Sequence, residues 1–158
     1  MVKANDSGQS LVETALSLLC FLFLVMGIID FGYMTYAKAT LQNAVRQAGR
    51  YAITGQCITG SGGTCSESRY NSIIQTLQSF SNGLLTSSNT ATDVTISCIN
   101  QGGGCPNNAG GPGDVVTISV NYPYPLLTSL IAKFFPGGSY TIQVSAAFTN
   151  EHFPPSQS

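Results

Sequence analysis

Charge is what this sequence has least of. Only 8% of its residues are Asp, Glu, Lys or Arg, and six basic residues against seven acidic ones leave a net charge of -1. No basic block tracks a phosphate backbone, which argues against nucleic acid as a partner. Catalytic constellations are missing as well. "GSGG" and "GGGC" lack the Lys-Ser/Thr that completes a phosphate-binding loop, and no G-x-S-x-G, H-E-x-x-H or paired Cys-His arrangement occurs. The lone histidine, His152, stands near two prolines and reads as an exposed tail residue. Neither an enzyme nor a cofactor is expected. A surface rich in Gly, Ser, Thr and Asn but poor in charge suits an exported or surface-assembled protein.

What the chain does have is one long apolar segment near its start. Thr14 to Ile29 is free of charge, and Leu11 to Tyr36 is interrupted only by Glu13 and Asp30. At about 1.5 Å per residue, the helix between those two acids covers roughly 26 Å, close to the ~30 Å of bilayer hydrocarbon. Both carboxylates then fall near the membrane edges. Tyr33 and Tyr36 follow where an aromatic belt is expected, although tyrosines on an ordinary amphipathic helix read equally well. A cleaved secretory signal fits poorly, because Lys3 alone precedes the run, acids flank it and no A-x-A-like site closes it.

Helical character continues beyond the lipid. "MTYAKATLQNAVRQAGRYAI" contains no proline and repeats Leu41, Ala44, Val45, Ala48, Tyr51 and Ala52 at helical spacing, with Gly55 as the expected stop. Such a stripe needs something to pack on. Ser66 to Leu85 predicts a second helix with Tyr70, Ile73, Ile74, Leu77, Phe80 and Leu84 on one face and Ser66 as its N-cap. Three segments then alternate with period two: Val94, Ile96 and Cys98; Val116, Ile118, Val120 and Tyr122; Tyr140, Ile142, Val144, Ala146 and Phe148. The expected fold class is α+β: a long N-terminal helix, transmembrane in its first half, packed with a second helix on a small antiparallel sheet of about three strands. Between the last two strands lies "YPYPLLTSLIAKFFPGG", where Leu126, Leu127, Leu130, Ile131, Phe134 and Phe135 share one side of a short helix. That side reads as a lid on the core, or as contact with membrane or another subunit.

The five cysteines sort by position. Cys20 lies in the apolar run, where a thiol acts as a small apolar side chain. Cys57 and Cys65 bracket "CITGSGGTC", and Cys98 and Cys105 bracket "CINQGGGC". Short Gly-rich loops bring such neighbours within bridging distance, so two local disulfides are expected, Cys57 with Cys65 and Cys98 with Cys105 being the favoured of three connectivities. Each is worth about 2 to 3 kcal/mol through loop closure. Zinc is the rival use, but these spacings exceed the usual two to four residues between ligands. No metal site is expected. Disulfides place the domain outside the cytoplasm and the short N-terminus inside. The positive-inside rule points the other way, because only Lys3 precedes the span while Lys38, Arg46 and Arg50 follow it. Those later charges begin well past Ile29 and are solvated on the emerging helix, so the cysteines carry more weight.

Taken together, "GQSLVETA", the apolar helix, "DFGYMTYAKATLQNAVRQAGRYA" and the closing "YTIQVSAAFTNE" resemble the TadE-like minor pilins of bacterial tight-adherence (Flp-type IVb) pilus systems. In such families a membrane-bound prepilin peptidase cuts after a glycine on the cytoplasmic face, and glutamate stands fifth in the mature chain. Gly8, Gln9 and Glu13 fit that register. The resemblance implies removal of residues 1–8 as a leader, a transmembrane helix over 9–36, its continuation over 37–55 outside the membrane, and a small pilin-like α+β domain over 56–158. Gln9 then becomes a candidate for N-methylation, and it departs from the phenylalanine common in major type IV pilins. The N-x-S match at Asn5 to Ser7 falls inside the leader and is a chance hit.

The resemblance also gives Glu13 a purpose. A carboxylate near hydrocarbon costs a few kcal/mol, so it should face a partner charge. Cleavage creates an ammonium on Gln9 one helical turn away, and in a filament the same carboxylate can meet a neighbouring subunit's N-terminus. Implied partners are the prepilin peptidase, other pilins, membrane lipid, and, indirectly, an inner-membrane assembly platform with its ATPase. The expected function is that of a processed minor pilin in pilus assembly and surface adhesion. The alternatives are a secretion-system pseudopilin and an unprocessed signal-anchored binding domain.

Overall fold

The structure is a computed structural model, and it describes residues 6–58, 68–100, 103–106, 109–126, 128, 132–133 and 136–152. Helix α1 runs without a break over Asp6–Ile53. No proline occurs before Pro106, so nothing in this stretch removes a ladder donor. The helix stops where the sequence suggests: Gly55 takes a φ of 67° and its N–H returns to Ala52 O at 3.2 Å, closing the last turn.

Helix α2 spans Arg69–Phe80, and its N-cap is Ser68, whose hydroxyl accepts from Asn71 N at 3.3 Å. The helix is shorter at its far end than the Ser66 to Leu85 expectation. The Ser81 hydroxyl bonds Gln78 O at 2.7 Å, and Asn82 and Gly83 adopt φ of 51° and 80°, left-handed values that no helix continues through. Residue 66 lies outside the described residues. A further helix, α3 over Ser87–Asp93, was not expected, because "SSNTATD" has no apolar periodicity. Asn89 helps start it by accepting the Thr86 N–H on Oδ1 at 2.7 Å.

Strands β1 (Val94–Asn100), β2 (Gly103–Pro106), β3 (Val115–Pro125) and β4 (Ser139–Thr149) form a four-stranded sheet in the order β2-β1-β3-β4. Expected as about three strands, the sheet gains β2, whose "GGCP" gives no alternating signal. β1 pairs antiparallel with β2 and with β3, setting Ile96 opposite Ile118 and Cys98 opposite both Cys105 and Val116. β4 runs antiparallel to β3, since Gly113 and Asp114, just before β3, exchange backbone bonds with Asn150, just after β4.

By internal contacts the chain divides into two units, one of Met1–Thr35 with Pro125–Tyr140 and the other of Tyr36–Tyr124 with Thr141–Ser158. In the second unit most of the period-two residues form the core; Tyr122, Ala146 and Phe148 are half-buried, and Tyr140, expected on the buried face of its strand, is exposed. Val94, Ile96, Cys98, Val116, Ile118, Val120, Ile142 and Val144 are buried, as are Leu41, Ala44, Val45, Ala48 and Ala52 of α1 and Ile73 and Leu77 of α2. Each fully buried Val, Leu or Ile contributes about 1.5 to 3 kcal/mol of transfer free energy. Thr95, Thr141, Gln143 and Ser145, on the opposite face, are exposed. Alanines on the α1 stripe let the helix lie close, and Gly49 comes against the Phe148 ring of β4.

A buried polar cluster closes one end of this unit. Arg69 is 6% exposed; its guanidinium donates to Gly110 O and, at 3.0 Å, to Ala52 O at the C-terminus of α1. Burial pushes its pKa down from the ordinary arginine value. Asn150 donates from Nδ2 to Ala109 O at 3.0 Å and Gly111 O at 2.9 Å, while Glu151 N reaches Ile53 O at 3.0 Å. These bonds satisfy helix-end and loop carbonyls that the sheet cannot reach.

Candidate functional site

Among the described residues, the exposed large apolar side chains gather in the first part of α1. Its most apolar 18 residues have a mean hydropathy of 2.4 and none of that window is buried. Leu11, Leu16, Leu19, Phe21, Ile28 and Phe31 are all more than 60% exposed. They point to every side of the helix, so a single protein groove does not cover them. A helix apolar all round suits a hydrocarbon environment or a bundle of like helices.

Two hydroxyls on this surface are satisfied within the helix. Thr14 Oγ1 donates to Ser10 O at 2.9 Å and Thr35 Oγ1 to Phe31 O at 2.8 Å, so neither hydroxyl demands water. Gly8 and Gln9 are exposed in the first helical turns and Glu13 is exposed one turn on, at the N-terminal edge of the apolar run. Cys20 is a free, exposed thiol within it.

Asp30 behaves differently from every residue around it. It is 4% exposed, whereas Ile29 and Phe31 are 51% and 67% exposed. Its Oδ2 accepts the Thr128 N–H at 3.2 Å. Thr128 in turn opens a helical turn, with Ala132 N bonding Thr128 O at 3.0 Å. The carboxylate therefore caps a turn that lies 98 residues along the chain. In the sequence Asp30 reads as a charge near a membrane edge; its partner, the Thr128 N–H, is a backbone group far along the chain that gives no sequence signal.

Of the cysteines predicted to bridge, Cys57 is half-buried and Cys98 buried, and both are disulfide-bonded. Cys105 stands directly across from Cys98 in the β1–β2 register, while Cys65 and the side chain of Cys105 lie outside the described residues. Leu126 is half-buried. Leu127, Leu130, Ile131, Phe134 and Phe135 lie outside the described residues. Among the described residues no group of three His, Cys, Asp or Glu side chains is placed to hold a metal ion.

The chain is an α+β protein with a long N-terminal helix, uncovered and apolar in its first part and striped in its second, and a small antiparallel sheet. Residues 8–50 match the family model described as TadE-like protein, a match that covers about a quarter of the chain and is confined to α1. No curated protein and no solved structure matches the chain.

Proposed function

We propose that this protein is a minor pilin: a single-pass inner-membrane protein, cut between Gly8 and Gln9 by a prepilin peptidase, that enters or initiates a tight-adherence type IVb pilus and serves surface attachment. The observation that carries this reading is the coincidence of the TadE-like match with a helix whose apolar side chains are uncovered all round. In the membrane those side chains meet lipid; on extraction into a filament they meet the same helix of other subunits.

Glu13 supplies the register. Removal of the leader leaves an ammonium at Gln9 one turn from the Glu13 carboxylate, or opposite it on a neighbour, and low dielectric makes that pairing selective for one axial offset. The disulfides, Cys57 with Cys65 and Cys98 with Cys105, belong to an extracytoplasmic domain. Cα atoms directly opposite in an antiparallel pair stand about 4.5 to 5.5 Å apart, within disulfide range, which supports the second pairing.

Pilus assembly in a producing strain tests the role of Glu13. Glu13→Ala should leave the protein membrane-bound but abolish its recovery with sheared pili or its support of piliation, and Glu13→Asp should restore part of it. Normal piliation with Glu13→Ala would contradict the pairing.

A further inference from the structure

We infer that Asn82–Gly83 is a site of spontaneous chemical modification, at which the folded chain loses the Asn82 side-chain amide to give aspartate and isoaspartate and so loosens the end of α2 from α1. The inference does not depend on the pilin reading.

Sequence supplies the reacting pair. Asn82 is the one asparagine that a glycine follows. Asparagine is a thermally labile residue, and the main-chain nitrogen that follows it is its nearest nucleophile. Glycine, lacking Cβ, lets the backbone turn that nitrogen into reach. A bond forms between Gly83 N and Asn82 Cγ, the Cγ–Nδ2 bond breaks, and the Gly83 N proton leaves with the amide as ammonia. Water then opens the five-membered imide. Attack at Cγ leaves aspartate, and attack at the Asn82 main-chain carbonyl leaves isoaspartate, with the chain rerouted through the side chain.

The fold keeps these atoms accessible. Asn82 and Gly83 are both exposed, and a Cβ on Gly83 would meet nothing within 4 Å, so the ring has room to close. They are the central pair of a turn that Leu84 N closes on Ser81 O at 3.1 Å, and their φ of 51° and 80° are those of a type I′ turn. Asparagines within regular elements are placed differently. Asn43 lies inside α1, Asn71 inside α2 and Asn121 inside β3, where the following N–H belongs to helix or sheet; after Asn71, Ser72 N is bonded to Ser68 O at 3.0 Å.

The turn has something to lose. Asn82 Nδ2 donates to the Tyr36 hydroxyl of α1 at 3.2 Å, and deamidation removes that donor. Isoaspartate also adds a main-chain methylene beside Ser81, which is fully buried and whose hydroxyl bonds Gln78 O at 2.7 Å and accepts Leu85 N at 3.2 Å. The new carboxylate stands at the C-terminal end of α2, where the helix already carries partial negative charge.

The test ages the full chain in detergent micelles, in mildly alkaline buffer made with heavy-oxygen water, and maps its peptides by mass. The peptide holding Asn82 should yield two separable products of equal mass, each carrying solvent oxygen, with isoaspartate the more abundant and ammonia released in equal amount. Asn43, Asn71 and Asn121 should keep their amides, as should an Asn82→Gln chain, whose longer side chain does not close the five-membered ring. Amide exchange at Leu84 and Leu85 should be faster in the isoaspartate fraction than in fresh protein. Asn82 left intact in the folded chain, after an incubation that converts the same chain digested beforehand, would overturn the site. Equal conversion at Asn43, Asn71 or Asn121 would overturn its selectivity, and unchanged exchange at Leu84 and Leu85 would overturn the loosening.

Discussion

Gly49 of α1 and Phe148 of β4 share a space that admits only one side chain. A Cβ at position 49 would overlap the Phe148 ring at Cε2 and Cζ, so hydrogen on Gly49 is what allows the helix to lie on the sheet. Replacement by alanine gains about 1 kcal/mol of helix propensity but forces the ring aside, an overpacking cost of roughly 1 to 3 kcal/mol. Gly49→Val should therefore lower the melting temperature of the detergent-solubilised chain more than Gly49→Ala does. Phe148→Leu should relieve much of the Gly49→Val loss, a coupling that a double-mutant cycle reads.

Arg69 joins three parts of the second unit by reaching Ala52 O and Gly110 O from the first turn of α2. Arg69→Met leaves both buried carbonyls without that donor, at a cost on the order of 3 kcal/mol. Arg69→Lys should recover only part of the loss, because an ammonium lacks the planar fork that serves two acceptors at once. Thermal unfolding of the two variants checks the order; equal stability of Arg69→Lys and the parent would show that geometry is unimportant there.

Hydrogen exchange at the Thr128 amide reports its bond to Asp30. With Asp30 present this N–H is bonded at 3.2 Å. Asp30→Leu should speed its exchange, whereas Asp30→Asn, which keeps an acceptor oxygen, should retain protection. Equal exchange in Asp30→Leu and parent would show that the carboxylate does not hold the turn.

Non-reducing peptide mapping settles the cysteine pairing. Cys98 and Cys105 face one another in register across β1 and β2, so a linked peptide containing both is expected, with Cys20 free. A double Cys98→Ser, Cys105→Ser chain should lose about 2 to 3 kcal/mol of stability. Recovery of Cys98 linked to Cys57 or Cys65 would contradict the local pairing.

Much of this fold is legible because its signals are periodic. Leu41, Ala44, Val45, Ala48 and Ala52 repeat at helical spacing and all are buried; Ile96, Ile118 and Ile142 alternate with polar residues and lie on the buried face. The elements that escape notice lack periodicity: β2 is four residues of Gly, Cys and Pro held by its partner, and α3 is polar but for Ala91. α2 is cut short by left-handed backbone at Asn82 and Gly83, a tertiary choice that apolar spacing through Leu84 conceals. For the same reason Asp30 reads as a boundary charge. Its partner is a backbone N–H far along the chain, and a backbone group leaves no mark in sequence.

Whether this helix begins as a processed pilin helix is reported most directly by its N-terminus. Protein extracted from membranes of cells carrying the matching prepilin peptidase should yield, by intact mass and N-terminal analysis under non-reducing conditions, a chain starting at Gln9. That product should disappear with Gly8→Leu, and the same mass reports N-methylation and the hydrogens lost to two disulfides. A chain that keeps residues 1–8 in the presence of active peptidase would contradict the account and leave an unprocessed, membrane-anchored domain in its place.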